Sequence, residues 1–489
     1  MISINGHEIV LDSAERLEPW MPYDQVVWLA MDFIKRCPLD PRNGLPWYLQ
    51  YSCFWTDPLR PAIWPDNPAG KFAWAVNTLI RYYPYSGDCS LIEVIRTMLD
   101  RLIAYHTPPS FNWGRVPYAS AEPGTGVYFG ARADGAFVTE PDKVAQAARA
   151  YLDFYQLTGE DAYFTAALEC ADTLSRNIRS GDESRSPWPF RVDVRNGAVI
   201  EEYTSDIIQM VRLFGELIRM GQTQYTGVCD SAWEWILRYP LHTQVWKGYF
   251  EDIRLDPQNQ NREQLSCLET ARYILQHREM DPDWKEHVPM LIEWVHDTLG
   301  AAPFFSAVPI HEQKFCYHVM GSHTARYASL CALWAEASGS NEYKERAQRS
   351  FNWATYMSSE DGTVTVGIDR PDYYNQCWFT DGYFDFVPHF LDGMAALPVL
   401  APSTSDHLLS STSVVQEIRY APLSVSYKTF DNRAAEVLRL TFKPQMVLSS
   451  GDLLPEMSDG VSSPAWSFDP TINVVRIKHA SRDVEILGR

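Results

Sequence analysis

The stretch KVAQAARAYLDFYQLTGEDAYFTAALECADTLSRN, Lys143 to Asn177, decides how this chain is read. Apolar residues recur at three- and four-residue spacing from Lys143 to Leu157, stop at Thr158-Gly159-Glu160, and resume from Asp161 to Asn177. An amphipathic helix, a tight turn and a second helix make a helical hairpin. The same signal runs outward from Tyr23 to about Leu400 in twelve segments, among them Tyr203 to Met220, Arg262 to Gln276 and Trp378 to Met394. Their connections alternate. Thr158 to Glu160, Ser338 to Asn341, Tyr82 to Cys89, Gly221 to Gly227 and His277 to Pro282 are short; Cys37 to Pro68, Ala104 to Asp142, Ile178 to Glu202, Tyr239 to Asn261, Ala301 to Ser322 and Ser358 to Cys377 are long. Six hairpins in series, with short turns on one face and long loops on the other, predict a mainly α chain folded as an (α/α)6 toroid. A solenoid would show uniform loops and a repeating signature, and none is present.

The toroid is assigned to residues 23–402. Residues 1–22 form an N-terminal extension with a short hairpin around Asn5-Gly6. After Leu400 the period changes, and SVVQEIRY, SVSYKTF, EVLRLTF and NVVRIKH alternate as strands do, with Asp431-Asn432, Gly451 and Gly460 as turns. Residues 403–489 are therefore expected to form a small antiparallel β domain.

The chain has 489 residues, 46% of them hydrophobic, enough for a large core. A formal net charge of −20 argues against general attraction to nucleic acid or anionic membranes, while local Arg, Lys and His still permit a positive pocket. Nine cysteines without a C-x-x-C pair point to a reduced, cytoplasmic setting. No basic-then-apolar leader pattern and no apolar run of about 18 residues occurs, so a chain that is neither exported nor membrane-spanning is expected. Gly124, Gly126 and Gly130 have the wrong spacing for a dinucleotide loop, and no phosphate-loop, nucleophile-elbow or compact His/Cys metal pattern occurs. No cofactor and no metal is expected.

Asp361 to Gly393, DGTVTVGIDRPDYYNQCWFTDGYFDFVPHFLDG, concentrates Asp369, Asp372 and Asp381, Arg370, and the aromatics Tyr373 and Trp378 ahead of the last helix. Carboxylates for proton transfer, a guanidinium for anions and flat rings for stacking suit a carbohydrate site, an acidic sugar above all. In a toroid, the long loops lead into the inner helices, whose N-termini converge on one face and favour anions. The other residues at those positions include Trp64 and Lys71; Arg132, Asp134, Glu140, Asp142 and Lys143; Glu201, Glu202, Tyr203 and Asp206; Arg262 and Glu263; and Tyr317, His318, His323 and Arg326. Helix-start capping would also explain Glu140-Pro141-Asp142.

On its hairpin order and on LTGEDAYFTAALECADTL, SGSNEYKERAQRSFNWATYM and WFTDGYFDFVPHFLDGMAALP, the chain from Tyr23 to Leu400 resembles the six-hairpin toroids that process uronic acids. These are the unsaturated glucuronyl hydrolases and related β-glucuronidases. The hydrolases' signature after the catalytic aspartate is absent at Glu140-Pro141-Asp142-Lys143. The resemblance implies a glycosidase acting on an acidic oligosaccharide, with Glu140, Asp206 and Asp372 as candidate catalytic carboxylates. Arg132, Lys143, Arg326 and Arg370 would then meet the substrate carboxylate, and Tyr203, Tyr317, His318 and Trp378 would orient and stack the sugar. Two alternatives stand beside it: a uronate lyase using Tyr317 or His318 as base, and a non-catalytic glycan-binding protein.

Overall fold

The computed structural model describes residues 3–56, 58–64, 67–128, 136–248, 261–368, 376–457 and 464–489. Twelve helices of ten or more residues are present among them: α1 (Tyr23–Lys35), α2 (Pro68–Ser86), α3 (Ile92–Ala104), α4 (Pro141–Thr158), α5 (Asp161–Arg176), α6 (Ile208–Arg219), α7 (Thr226–Arg238), α8 (Leu265–Gln276), α9 (Trp284–Leu299), α10 (Gly321–Ser338), α11 (Asn341–Thr355) and α12 (Val387–Ala396). The even-numbered helices pack side by side in chain order, and α12 returns to α2 to close the ring. Each is backed by the odd-numbered helix that follows it, and α12 is backed by α1. The fold is the (α/α)6 toroid, with its sixth hairpin made from the two ends of the helical region.

Composition separates the two rings. In α4, 14 of 18 residues are buried, Asp142, Lys143 and Gln146 among them, whereas α3 buries 4 of 13. A helix surrounded by protein is buried all round, and one on the outside keeps a single apolar stripe. The short turns are set by glycine. Gly159 (φ +77°) and Gly339 (φ +76°) adopt the left-handed conformation at the ends of α4 and α10, donating to the carbonyls of Tyr155 and Ala335 at 2.7 and 2.8 Å.

The long loops brace one another with small sheets. Cys53–Thr56 pairs with Leu59–Ala62 and with Gln376–Trp378, tying the first long loop to the last. Val138–Thr139 pairs with Arg191–Asp193, which pairs with Val199–Glu201, and Ile310–His311 pairs with Val319–Met320. The opposite end of the ring is covered by C-terminal strands in two antiparallel sheets. One has four strands (His407–Ser411, Ala434–Arg439, Val474–His479, Ala465–Asp469), the other five (Val415–Ala421, Ser424–Thr429, Asp483–Gly488, Pro444–Ser449, Asp452–Leu453). They bind the C-terminal ends of inner helices. His407 Nδ1 lies 2.8 Å from the Tyr85 carbonyl, and Gln416 donates to the Gln156 carbonyl at 2.7 Å.

Three helix starts differ from the sequence reading by three residues or more. α6 begins at Ile208 rather than Tyr203, because Tyr203, Thr204 and Ser205 hydrogen-bond the carbonyls of Val245, Gly248 and Lys247 instead of continuing a helix. α8 begins at Leu265 rather than Arg262. The last inner helix is preceded by a π-helical turn, Phe379–Phe384, and becomes α-helical only at Val387. The N-terminal hairpin forms with Ser3 opposite Glu8.

Candidate active site

Five mouths of the inner ring place carboxylates and cations in one buried arc. At the start of α4, Lys143 Nζ lies 2.8 Å from Asp142 Oδ2, both side chains fully buried. Asp206, just before α6, is completely buried; its Oδ2 accepts from Gln146 at 3.3 Å and its Oδ1 from Gln209 at 3.1 Å. The anchored loop of Tyr203 to Ser205 fixes it there. Gly248 (φ +90°) allows that contact, since a Cβ would lie 2.7 Å from the Tyr203 carbonyl oxygen. Burial, followed by the neighbouring Asp142 and Glu263, pushes the Asp206 carboxyl well above the ordinary carboxylate value despite Lys143. Glu263, before α8, accepts the Ser266 N–H at 3.1 and 3.2 Å, and burial raises its pKa as well.

The arc continues through Gln264 to the opposite side. Its amide lies 2.9 Å from His323 Nδ1 and accepts Arg326 Nη1 at 3.0 Å. Arg326 is fully buried, pairs with Asp385 through Nη2 and stands 5.2 Å over the Trp74 ring. Asp385 also bonds His389 Nε2 at 3.1 Å. Burial pushes Asp385 up, but Arg326 and His389 hold it below its usual value. Burial, helped by Arg326, lowers His323 to about 3, so its imidazole is neutral and accepts the Gln264 N–H.

His323, Asp381 and Asp385 offer a ring nitrogen and two carboxylate oxygens within 4.8 Å of one another, the spacing of a metal triad. Asp385 is already matched by the Arg326 guanidinium, so a divalent ion there would face a buried cation.

Aromatics mark the rim. Trp64 and Trp378 meet edge to face at 5.1 Å, and the exposed Tyr317 ring lies flat on His311 at 3.5 Å. Lys71, in the first turn of α2, is buried with Nζ 3.5 Å from Ser52 Oγ.

The structure gathers Asp206, Lys143, His323, Arg326 and Asp381 into this arc, with Trp378 at its rim. It assigns other work to several predicted residues. Glu140 is a buried partner of Arg191 at 2.9 Å, and Arg191 also meets Glu201, so Glu140 ties the sheet of the long loops to the start of α4. Glu202 is exposed and pairs with Arg179 at 2.6 Å. Tyr203 uses its hydroxyl on the Val245 carbonyl at 3.0 Å and its ring on Trp235. His318 is buried in the hairpin before α10, where its carbonyl accepts the Glu312 N–H at 2.8 Å. Arg132, Asp134, Asp369, Arg370, Asp372 and Tyr373 lie outside the described residues. Residues the sequence reading passed over are Gln146, Gln209, Gln264, Asp385 and His389. Asp381, Asp385 and His389 recur every four residues in an otherwise apolar run, a spacing that marks one helical face.

No family model and no curated protein sequence matches the chain. Among solved structures it is similar to cellobiose 2-epimerase from Spirochaeta thermophila, with a TM-score of 0.58 at 12% identity over 78% of this chain and 97% of that one. Cellobiose 2-epimerase from Bacillus thermoamylovorans gives 0.57 at 10% identity over 76% and 97%. A family 76 glycoside hydrolase from a bovine Bacteroides thetaiotaomicron strain gives 0.53 at 10% identity over 77% of each chain. At these identities the likeness establishes the toroid.

Proposed function

We propose that the chain is a carbohydrate-processing enzyme that cleaves a glycosidic bond at the mouth of the toroid, with Asp206 as the proton donor. The observation that carries this reading is Asp206 itself, a completely buried carboxyl at the mouth whose pKa burial raises well above the ordinary carboxylate value, with two glutamine amides fixing its position. A glycosidase needs one carboxyl kept protonated near neutrality to give a proton to the leaving oxygen. Its surroundings fit a polyhydroxylated ligand. Gln146, Gln209 and Gln264 present neutral amides, and Trp74 Nε1 and Gln146 Oε1 are buried without a hydrogen-bond partner among the described residues. That the toroid relatives named above act on sugars supports the same substrate class.

The finer proposal, a uronate substrate, rests on Arg132 and Arg370, because Lys143 and Arg326 are already committed to Asp142 and Asp385. Aryl mannosides, glucosides and glucuronides, read for release of the phenol, test both levels. Turnover of any of them that falls about 10²–10⁴-fold in Asp206→Asn, the usual weight of general acid catalysis, supports the reading. Unchanged turnover in that variant overturns it. Turnover confined to neutral glycosides would remove the uronate.

A further inference from the structure

Lys71 and Lys143 occupy matching places, each in the first turn of an inner helix and each buried, but only one has a counter-charge. Lys143 has Asp142 at 2.8 Å. Lys71 has the Ser52 hydroxyl at 3.5 Å and the Phe72 ring at 5.3 Å, and no carboxylate of the described residues forms an ion pair with it. A cation there is unfavourable twice over. It is removed from water without a partner, and it sits at the positive end of the helix dipole. The remedy is loss of the proton, and burial lowers the amine to about 7. Its position is also a working one. Ser52, which it touches, donates to the Trp64 carbonyl at 2.7 Å and accepts the Phe379 N–H on its own carbonyl at 2.7 Å. Ser52 thus joins Lys71 to the backbone that carries the Trp64–Trp378 pair at the rim, and the Cys53 thiol lies within electrostatic reach of both Lys71 and Asp381.

An amine brought to about 7 is in large part uncharged at neutral pH, and a neutral amine has a defined chemistry: it adds to carbonyls. We propose that Lys71 is a covalent attachment point for the open-chain aldehyde of a reducing sugar. The Nζ lone pair attacks C1, giving a carbinolamine, which expels its hydroxyl as water to leave the imine; amine plus aldehyde become imine plus water with no other reactant. This inference rests on the mouth being a sugar site. It adds that the site handles a free reducing end as well as a glycosidic bond.

The test traps the imine. The intact chain is incubated at pH 7 with glucose, mannose, cellobiose or glucuronic acid and cyanoborohydride, which reduces the imine to a stable secondary amine, and the lysine peptides are mapped by mass spectrometry. Lys71 should be labelled at least ~10-fold faster than the exposed Lys285 and Lys344, the advantage an uncharged amine holds over one near its ordinary pKa of about 10.4. A methyl glycoside, which has no free aldehyde, should protect it. In Lys71→Met the fast labelling should vanish while the exposed lysines keep theirs. Labelling of Lys71 no faster than of Lys344 overturns the proposal. The same samples are read for tryptophan fluorescence and aryl-glycoside turnover. A sugar that binds or is turned over without trapping Lys71 removes this inference alone, whereas sugars that neither bind nor react remove the functional reading beneath it as well.

Discussion

The inner helices carry buried charge at their mouths and deeper along the ring, and the two levels balance it in opposite ways. Deep in the ring Asp392, Glu269 and Glu216 each have at least two guanidinium partners. Asp392 takes Arg81 and Arg272, Glu269 takes Arg212 at 2.8 Å and Arg272 at 3.3 Å, and Glu216 takes Arg219 at 2.6 Å and Arg149 at 3.4 Å. Although burial opposes it, these partners hold Glu269 and Asp392 below the usual carboxylate range and Glu216 at about 2. At the mouth, Asp206 and Glu263 are pushed the other way, chiefly by burial. Arg326 joins the levels, reaching Asp385 and lying 3.6 Å from Glu269. Charge that is matched holds helices together. Charge that is mismatched costs stability and tends to be kept for chemistry. The C-terminal sheets reinforce the contrast by covering the end of the ring away from the long loops.

The largest effect should come from the mouth. Asp206→Asn keeps both glutamine contacts in reach and should lower turnover by about 10²–10⁴-fold with no loss of melting temperature. Next is its opposite deep in the ring. Asp392→Ala removes the carboxylate shared by Arg81 and Arg272, leaving Arg272 with Glu269 alone, and should cost about 3–5 kcal/mol in a denaturation series, the range for breaking a buried pair, while molecules that remain folded keep their turnover. The levels should also separate by pH. Acids with lowered folded pKa values, such as Asp392 and Glu269, stabilise the chain above the unfolded carboxylate value of about 4 and lose that contribution as the pH falls through the folded values. Asp206, with a raised value, acts with the reverse sign: its cost grows as the pH rises from about 4. The melting-temperature difference between Asp206→Asn and the native chain should therefore be near zero at about pH 4 and favour the variant at pH 7. The smallest effect is expected at the rim, where Trp378→Ala should raise KM about five- to tenfold and leave kcat close to native, as for a stacking surface worth about 1 kcal/mol.

Much of this architecture was legible in the sequence because it rests on short-range rules. The period of the Lys143 to Asn177 hairpin, the glycine turns and the alternation of loop lengths are local, and they sufficed for the toroid. Asp206 was legible for the same reason, as an acid at the start of an inner helix. The pairings were not. Glu140 and Asp206 look alike in sequence, yet one meets Arg191, 51 positions on, and the other meets two glutamine amides and two further acids. Arg326 reads as a free cation until Asp385 is found 59 residues later. Five of the nine C-terminal strands described were passed over: in His407–Ser411, an edge strand, the apolar residues are adjacent rather than alternating, and Pro444–Ser449, an interior strand, opens on a proline and alternates only weakly. The lesson of Asp381, Asp385 and His389 is specific: polar residues four apart in an apolar segment that leads into an inner helix mark one face, as apolar residues do in a polar helix.

The proposed role of Asp206 as proton donor is tested most directly by varying how much the leaving group needs that proton. For the native chain and Asp206→Asn, kcat/KM is measured on two glycosides of the same sugar, one with a dinitrophenyl leaving group and one with a simple alkyl alcohol. A general acid matters little when the departing oxygen is already a good leaving group. The variant should stay within about tenfold of native on the dinitrophenyl glycoside and lose about 10²–10⁴-fold on the alkyl one. Equal losses on both would contradict the assignment of Asp206 as the acid.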